Sequence, residues 1–235
     1  MSLPVSLPDD ETFLSFYTLD NEFVSSYLQE FCSPHGTSQK TSQKALSYLF
    51  GSAGLGKSHL LYACCNEAQV NDVQSIYLDM LVLKDMPCAL INEVADYGLI
   101  CIDNLHAISG NSLWENAIFD LINQVIEKLH QPKLVIAANG APNAAGYKLP
   151  DLVSRLNWGT VFQLANRSDA DLGKIIQFRL DNRGIETTDE SINFLLTRVD
   201  RDLGNLMMIV NELDKKSLQA KRRLTIPFMK QALGL

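Results

Sequence analysis

The sequence contains no apolar run of the roughly 20 residues that a helix needs to cross a lipid bilayer. Its N-terminal segment also has no basic region followed by an apolar one, because Asp9, Asp10 and Glu11 lie there instead. Both absences argue against membrane insertion and export. We therefore expect a soluble, cytoplasmic protein with no membrane partner.

Cysteine is neither abundant nor regularly spaced in this chain. The five cysteines are an odd number, and none of their spacings is typical of a metal site. Adjacent cysteines at positions 64 and 65 also do not suit a disulfide framework. The sequence therefore predicts reduced thiols at Cys32, Cys64, Cys65, Cys88 and Cys101.

A strongly basic region is also missing. The net charge is −7; residues 1–165 contain 8 Lys and Arg against 17 Asp and Glu, and residues 166–235 contain 12 against 10. A protein that binds duplex DNA usually carries a stronger basic surface, so we predict no strong direct DNA binding. One small basic cluster is interpreted as the solvated face of a helix. It comprises Lys215, Lys216, Lys221, Arg222 and Arg223.

The apolar pattern predicts an α/β fold. From residue 45 onward, short apolar strands alternate with helices, as a parallel sheet requires. The predicted strands are 46–50, 75–78, 99–102, 134–138 and 160–164, with helices at 57–69 and 113–130. Helical spacing also runs from about residue 9 to residue 31. After residue 164 only helices follow, at about 169–183, 189–199, 202–221 and 226–233.

Eight residues between the first strand and the next helix form a complete phosphate-binding loop. Its glycines let backbone N–H groups point at phosphate oxygens, Lys57 neutralises charge and Ser58 can ligate Mg²⁺. The loop predicts nucleotide binding by a protein of the AAA+ class, with His59 as a further contact; the alternative is a structural glycine turn. The loop consists of Gly51, Ser52, Ala53, Gly54, Leu55, Gly56, Lys57 and Ser58.

An acidic residue, Asp103, ends the apolar segment 99–102. In a P-loop protein this is the Walker-B position, which holds the Mg²⁺ together with Ser58; the alternative is an aspartate that caps the next turn. The following residue is Asn104, where a hydrolytic AAA+ protein needs a second carboxylate. An amide cannot accept a proton from water at neutral pH, so we predict weak or absent autonomous ATP turnover.

Three further residues are candidate contacts of the nucleotide. Asn139 follows the fourth strand, where AAA+ proteins keep a polar sensor near the γ-phosphate; the alternative is an asparagine that supports the turn at Gly140. Phe13 and Phe16 can stack on a nucleotide base, although the same spacing is typical of core packing.

With these motifs assembled, the chain resembles the Hda family, the DnaA-related regulators that inactivate the bacterial replication initiator. The resemblance runs nearly from end to end. Its most specific stretches are Leu7 to Phe13, Cys101 to Asn104, Leu113 to Leu121, Leu149 to Trp158 and Leu224 to Phe228.

The resemblance implies that the protein binds ADP, or another nucleoside diphosphate or ATP, and contacts ATP-bound DnaA. Arg155 would then enter the nucleotide site of DnaA as an arginine finger in trans; the alternative is a surface salt bridge. The family also binds the DNA polymerase III sliding clamp through a short N-terminal motif. Here Ser2, Leu3, Pro4 and Val5 match its second part, whereas the preceding Gln-Leu is missing.

The chain departs from the family pattern at one further position. The lid arginine of DnaA-like proteins falls at Ile209, with Arg201 in the same region. A homodimer or higher oligomer is expected, because AAA+ domains associate through nucleotide-bearing faces. A loader that grips DNA and a stand-alone ATPase fit these features less well than a regulator of another ATPase. After this regulator, the second candidate function is a DnaA-like helper that positions an initiator at DNA without inactivating it.

The predicted organisation has three parts. Residues 1–10 form an extended arm, with the possible clamp-binding motif. Residues 11–165 form an AAA+ base domain with a parallel sheet flanked by helices. Residues 166–235 form a small, all-α lid domain.

Overall fold

A computed structural model of the protein describes residues 10–33, 44–128, 132–198, 203–220 and 223–234. The chain divides into two compact units, Met1–Ala165 and Asn166–Leu235. Several predictions concern residues outside the described ranges: the arm with Ser2, Leu3, Pro4 and Val5, the lid candidate Arg201, and the basic residues Lys221 and Arg222. In the described ranges, no helix combines the length and the hydropathy that a bilayer crossing requires.

The first unit is built on a parallel sheet, as the sequence predicts. Among the described residues its strands are β1 (Leu46–Phe50), β2 (Ser75–Asp79), β3 (Leu99–Asp103), β4 (Lys133–Ala138) and β5 (Thr160–Gln163). They lie in the order β2-β3-β4-β1-β5, and every neighbouring pair is parallel. All carboxyl ends therefore meet at one edge of the sheet, so that residues far apart in sequence become neighbours there.

Helices cover both faces of this sheet. The first unit contains α1 (Glu22–Cys32), α2 (Lys57–Val70), α3 (Met80–Leu83), α4 (Ser112–Glu127) and α5 (Pro150–Trp158). Alternate residues of each strand enter different cores, because successive side chains of a strand point to opposite faces. Ile100 and Ile102 pack in the core that includes α4 and α5. Leu99 and Cys101 pack in the other core, with α1 and α2.

The second unit is helical in its described residues, as predicted. It consists of α6 (Asp169–Asn182), α7 (Asp189–Arg198), α8 (Leu203–Ala220) and α9 (Ile226–Leu233). Their apolar faces form one core, which includes Ile176, Leu195, Leu206 and Val210. A capping box at Ser168, with Asp171 three residues later, begins α6.

The prediction of a helix from about residue 9 to 31 is wrong in its first half. Residues 10–18 form turns and bends, a 3₁₀ helix covers Leu19–Asn21, and α1 begins only at Glu22. Local hydroxyl bonds compete with the helix here: the Ser15 hydroxyl donates to the Asp10 carbonyl at 2.6 Å, and the Thr12 N–H donates to the Ser15 hydroxyl at 3.0 Å. The aromatic spacing reflects core packing of an irregular segment.

Four of the five cysteines lie together in the core that includes α1 and α2. Cys32, Cys64, Cys65 and Cys101 are buried there, and all five cysteines of the chain are free thiols. Burial raises the pKa of Cys32, Cys64 and Cys101. These thiols therefore remain protonated and act as small apolar side chains.

Candidate nucleotide-binding site

The predicted phosphate-binding loop connects the buried strand β1 to α2. Gly54 has φ 78° and Gly56 has φ 88°, a left-handed region that residues with a Cβ rarely adopt. Gly56 directly precedes α2, so the loop ends at the helix N-terminus. N–H groups at a helix N-terminus, together with the helix dipole, favour a bound anion. The local geometry therefore suits a phosphate.

Lys57 is held inside this loop. Its side chain is 6% exposed, and its Nζ donates to the carbonyl oxygens of Gly51 at 2.7 Å and Ser52 at 2.6 Å. A charged ammonium is rarely buried to this extent unless polar groups surround it. A buried positive charge beside a helix N-terminus is complementary to a phosphate group.

Asp103 ends β3 and is only 1% exposed. Its Oδ2 accepts a hydrogen bond from the Tyr77 hydroxyl at 2.7 Å, and its Oδ1 accepts one from the Asn104 N–H at 2.7 Å. Burial, and next the charge of Asp103, raise the pKa of Tyr77, so this hydroxyl remains a donor. Each carboxylate oxygen keeps a second lone pair, and Ser58 lies in the first turn of α2. This donor set suits Mg²⁺ or its bound water.

The amide of Asn104 is also fixed by hydrogen bonds. Its backbone has φ 55° and ψ 35°, and its Nδ2 donates to Oδ1 of Asp79 at 2.9 Å. The same Asp79 oxygen accepts the Leu81 N–H at 2.9 Å and caps α3. The parallel register aligns Asp79 with Asp103, so the ends of β2 and β3 form one hydrogen-bonded group.

Asn139, which follows β4, contacts a histidine that the sequence did not suggest. Its side-chain amide lies within hydrogen-bond distance of the ring, with Nδ2 2.8 Å from Nε2 of His106. Burial is the main cause that lowers the pKa of His106, and the positive charge of Lys57 lowers it further. The negative charge of Asp103 raises this pKa, but its effect is smaller. His106 therefore belongs to the same electrostatic environment as Lys57 and Asp103. Its position three residues after Asp103 was the only signal in the sequence.

We expect His106 to titrate below the ordinary histidine value of about 6.5. Because folding lowers this pKa, the neutral ring stabilises the folded state above pH 6.5, and that stabilisation is lost as the pH falls further. An NMR titration of the ring protons measures the midpoint directly. Lys57→Met should raise it, since the Lys57 charge opposes protonation. A midpoint at or above 6.5 in the wild-type protein would contradict this assignment.

Phe13 and Phe16 lie in the core that includes α1 and α2, where both are buried. The Phe16 ring centroid is 5.3 Å from that of His59, whose Nε2 lies 2.9 Å from the Thr12 carbonyl oxygen. His59 therefore ties the irregular N-terminal segment to the start of α2. The structure shows the core packing, and contacts of these three rings with a nucleotide stay a prediction.

Arg155 lies on α5, a helix that the sequence did not predict. Leu152 and Leu156 anchor this helix in the core, while Arg155 itself is half-buried. Within the part of the chain that the structure describes, the guanidinium forms no ion pair and no bond with the phosphate-binding loop. The alternative of a surface salt bridge therefore has no partner in that part.

Two family models match consecutive parts of the chain. The model for the bacterial DnaA ATPase domain matches residues 17–163. The model for the Hda lid domain matches residues 169–233. Together they extend over both compact units.

Solved structures show the same fold. Domain III of the Thermotoga maritima replication initiation protein DnaA superposes with a TM-score of 0.74 at 21% identity, covering 98% of each chain. AMPPCP-bound DnaA from Aquifex aeolicus gives 0.68 at 21% identity, covering 92% of this chain and 68% of that one. The Thermotoga maritima RuvB motor gives 0.61 at 17% identity, covering 95% and 73%. The predicted AAA+ fold class is thereby confirmed, and the chain belongs to the Hda and DnaA-related family of AAA+ proteins.

Proposed function

We propose that this protein is a nucleotide-binding regulator that stimulates hydrolysis of the ATP bound to DnaA, together with the DNA-loaded sliding clamp. Such an activity would prevent over-initiation of chromosome replication. The observation that carries the proposal is Asn104, an amide bonded to Asp79 beside an intact phosphate-binding loop. A site built in this way binds nucleotide but lacks the group that deprotonates water.

The nucleotide is ADP in this proposal, with Mg²⁺. Backbone N–H groups of the loop and the Lys57 ammonium hold the phosphates, while Ser58 and Asp103 hold the metal or its water. Bound Mg²⁺ supplies positive charge beside the phosphate oxygens. The buried Lys57 and Asp103 support this assignment, as does the AMPPCP bound to DnaA in a related structure.

Arg155 acts on the partner and not on this chain's own nucleotide. An arginine supplied in trans stabilises the charge that develops on the transferred phosphoryl group. Two observations support this role: α5 is anchored by buried leucines, and the guanidinium has no ion-pair partner in the described ranges. DnaA therefore performs the chemistry, and this protein completes its site.

The other partners follow from the same proposal. The N-terminal residues Ser2 to Val5 bind the sliding clamp, and the protein forms a homodimer or a higher oligomer through its nucleotide-bearing face. The first unit carries the nucleotide site, and the second unit matches the Hda lid domain. A regulator of DnaA works where the chromosome is, which places it in the cytoplasm.

The proposal is tested by mixing ATP-loaded DnaA with this protein, with and without clamp loaded on DNA. We expect ATP loss only in the complete mixture, and little loss with this protein alone. Co-migration with DnaA on DNA without faster hydrolysis would refute the proposal and favour the helper that positions an initiator. Full stimulation without the clamp would show that the clamp is not required for this activity.

Asn104→Glu is expected to change this protein's own ATP turnover by less than about threefold. The new carboxylate would meet the Asp79 and Asp103 carboxylates, and the bond from Asn104 to Asp79 would be lost. Asn104→Glu combined with Asp79→Asn places a donor at position 79, so that the bond between the two side chains forms in the opposite direction. This double change should raise turnover at least about tenfold, because a general base contributes about 10²- to 10⁴-fold. Steady-state ATPase assays measure both. A large gain from the single change would contradict this view of the Asp79 contact.

A further inference from the structure

Glu115 is a carboxylate that is 0% exposed, in the first turn of α4. Its Oε1 accepts the Gly110 N–H at 2.7 Å. The Lys148 N–H lies 3.1 Å from Oε1 and 2.9 Å from Oε2, and the Leu149 N–H donates to Oε2 at 2.7 Å. Three backbone donors from two separate loops therefore converge on one buried side chain.

Backbone donors, and not a cation, compensate this buried charge. Glu115 forms no ion pair within the described ranges, although an unpaired buried carboxylate is costly unless several donors satisfy it. Charge-assisted bonds to backbone N–H groups are among the stronger hydrogen bonds, and the N-terminal end of α4 adds a favourable dipole. The three donors are thus held firmly to one side chain.

The loops that Glu115 joins are the two that matter for the proposed function. Gly110 closes the segment that leaves β3 after Asp103. Lys148 and Leu149 directly precede α5, and the Leu149 carbonyl accepts the Val153 N–H at 3.2 Å in its first turn. A second bond, from the Ser109 hydroxyl to the Ala145 carbonyl at 2.7 Å, joins the same loops.

The start of α5 has no capping side chain of its own. Leu149 occupies the N-cap position without a side-chain bond, and Pro150 follows it without an N–H group. Arg155 comes six residues after Leu149, about 9 Å along the helix axis at 1.5 Å per residue. Glu115 therefore holds the two backbone N–H groups that directly precede the helix that carries Arg155.

We propose that Glu115 is a positioning residue for Arg155: it holds the first turn of α5 on α4 so that the guanidinium is presented in one fixed geometry. The inference rests on the proposed function of Arg155 in trans. A misplacement of about 1 Å at a reacting group can lower a rate by about 100-fold. Loss of the Glu115 contacts should therefore lower the stimulated rate of hydrolysis more than it lowers the affinity for the partner.

Glu115→Gln tests this proposal in the full-length protein. Glutamine keeps the size of the side chain, but its NH₂ group cannot accept from the N–H groups that meet one carboxylate oxygen. We expect the amides of residues 153–157 to exchange at least about tenfold faster, measured by hydrogen exchange relative to β4. The saturating rate of stimulated hydrolysis should fall about tenfold. The half-saturating concentration and the affinity for ADP should stay within about twofold.

Val125→Ala is the matched control, because Val125 is buried on the same helix about 15 Å further along. It should lower the melting temperature while leaving the exchange of α5 relative to β4 and the saturating rate unchanged. Unchanged α5 exchange in Glu115→Gln, or equal acceleration in Val125→Ala, would overturn the proposal. If the wild-type protein does not stimulate DnaA, the proposed function fails, and the exchange data still decide whether Glu115 positions α5.

Discussion

Lys57→Ala is expected to weaken the binding of ADP by at least about 100-fold. The change removes the ammonium that Gly51 and Ser52 hold inside the loop, and with it a charge-assisted bond to phosphate in a buried setting. A 100-fold loss corresponds to about 2.7 kcal/mol of binding free energy. Titration calorimetry with ADP and Mg²⁺ measures this directly, and the loop backbone should retain residual affinity.

Lys133→Ala is the control for this experiment. Lys133 is half-buried, donates to the Ser33 carbonyl at 3.0 Å, and begins β4 at the opposite edge of the sheet. Burial lowers the pKa of Lys133, so this control also removes a cationic side chain that is partly withdrawn from solvent. Its replacement should lower stability and leave ADP affinity within about twofold. Equal losses from both changes would mean that general unfolding, and not the phosphate contact, explains the Lys57 result.

Arg155→Ala is expected to lower the stimulated hydrolysis of DnaA-bound ATP by about 10³-fold, the lower end of the effect of an arginine finger. The guanidinium offers planar, bidentate donors to phosphoryl oxygens, which no solvent molecule replaces in a closed site. The affinity of this protein for ADP should be unchanged, because Arg155 has no described contact with the phosphate-binding loop. Single-turnover hydrolysis and calorimetry measure the two quantities separately.

Two further variants sharpen the Arg155 experiment. Arg155→Lys keeps the charge but loses the fork, so it should recover only a small part of the rate. Lys148→Ala removes an exposed cation next to α5 while keeping the backbone N–H that Glu115 accepts, and it should retain the full rate. If Arg155→Ala keeps more than about a tenth of the stimulated rate, the finger assignment is wrong.

The local features of this protein could be predicted from its sequence. Each strand is a short apolar run, and the phosphate-binding loop can be recognised from eight consecutive residues. The helix predicted at 57–69 is observed as Lys57–Val70 for the same reason. Failures occurred where tertiary contacts decide the conformation. Residues 10–18 form turns under hydroxyl bonds despite helical spacing, and α5 begins without its own cap because Glu115 holds the preceding loop.

The arrangement at the sheet edge could not be predicted. Bonds from Tyr77 to Asp103, from Asn104 to Asp79 and from Asn139 to His106 join residues 25 to 33 positions apart. They form because a parallel register aligns the carboxyl ends of β2, β3 and β4, and the sequence does not specify strand order. The position of Asp103 at a strand end could be inferred, whereas its hydrogen-bond partners could not.

The proposed function requires that this protein act on the nucleotide of another protein. The most direct test is a single-turnover assay in which only DnaA carries labelled ATP, while this protein carries unlabelled ADP, with clamp loaded on DNA. We predict that the label is hydrolysed at least about 10³-fold faster than by DnaA alone. In the converse mixture, with labelled ATP on this protein and unlabelled ATP on DnaA, we predict that the label is not consumed. No acceleration, or consumption of the label from this protein at the same rate, would contradict the account.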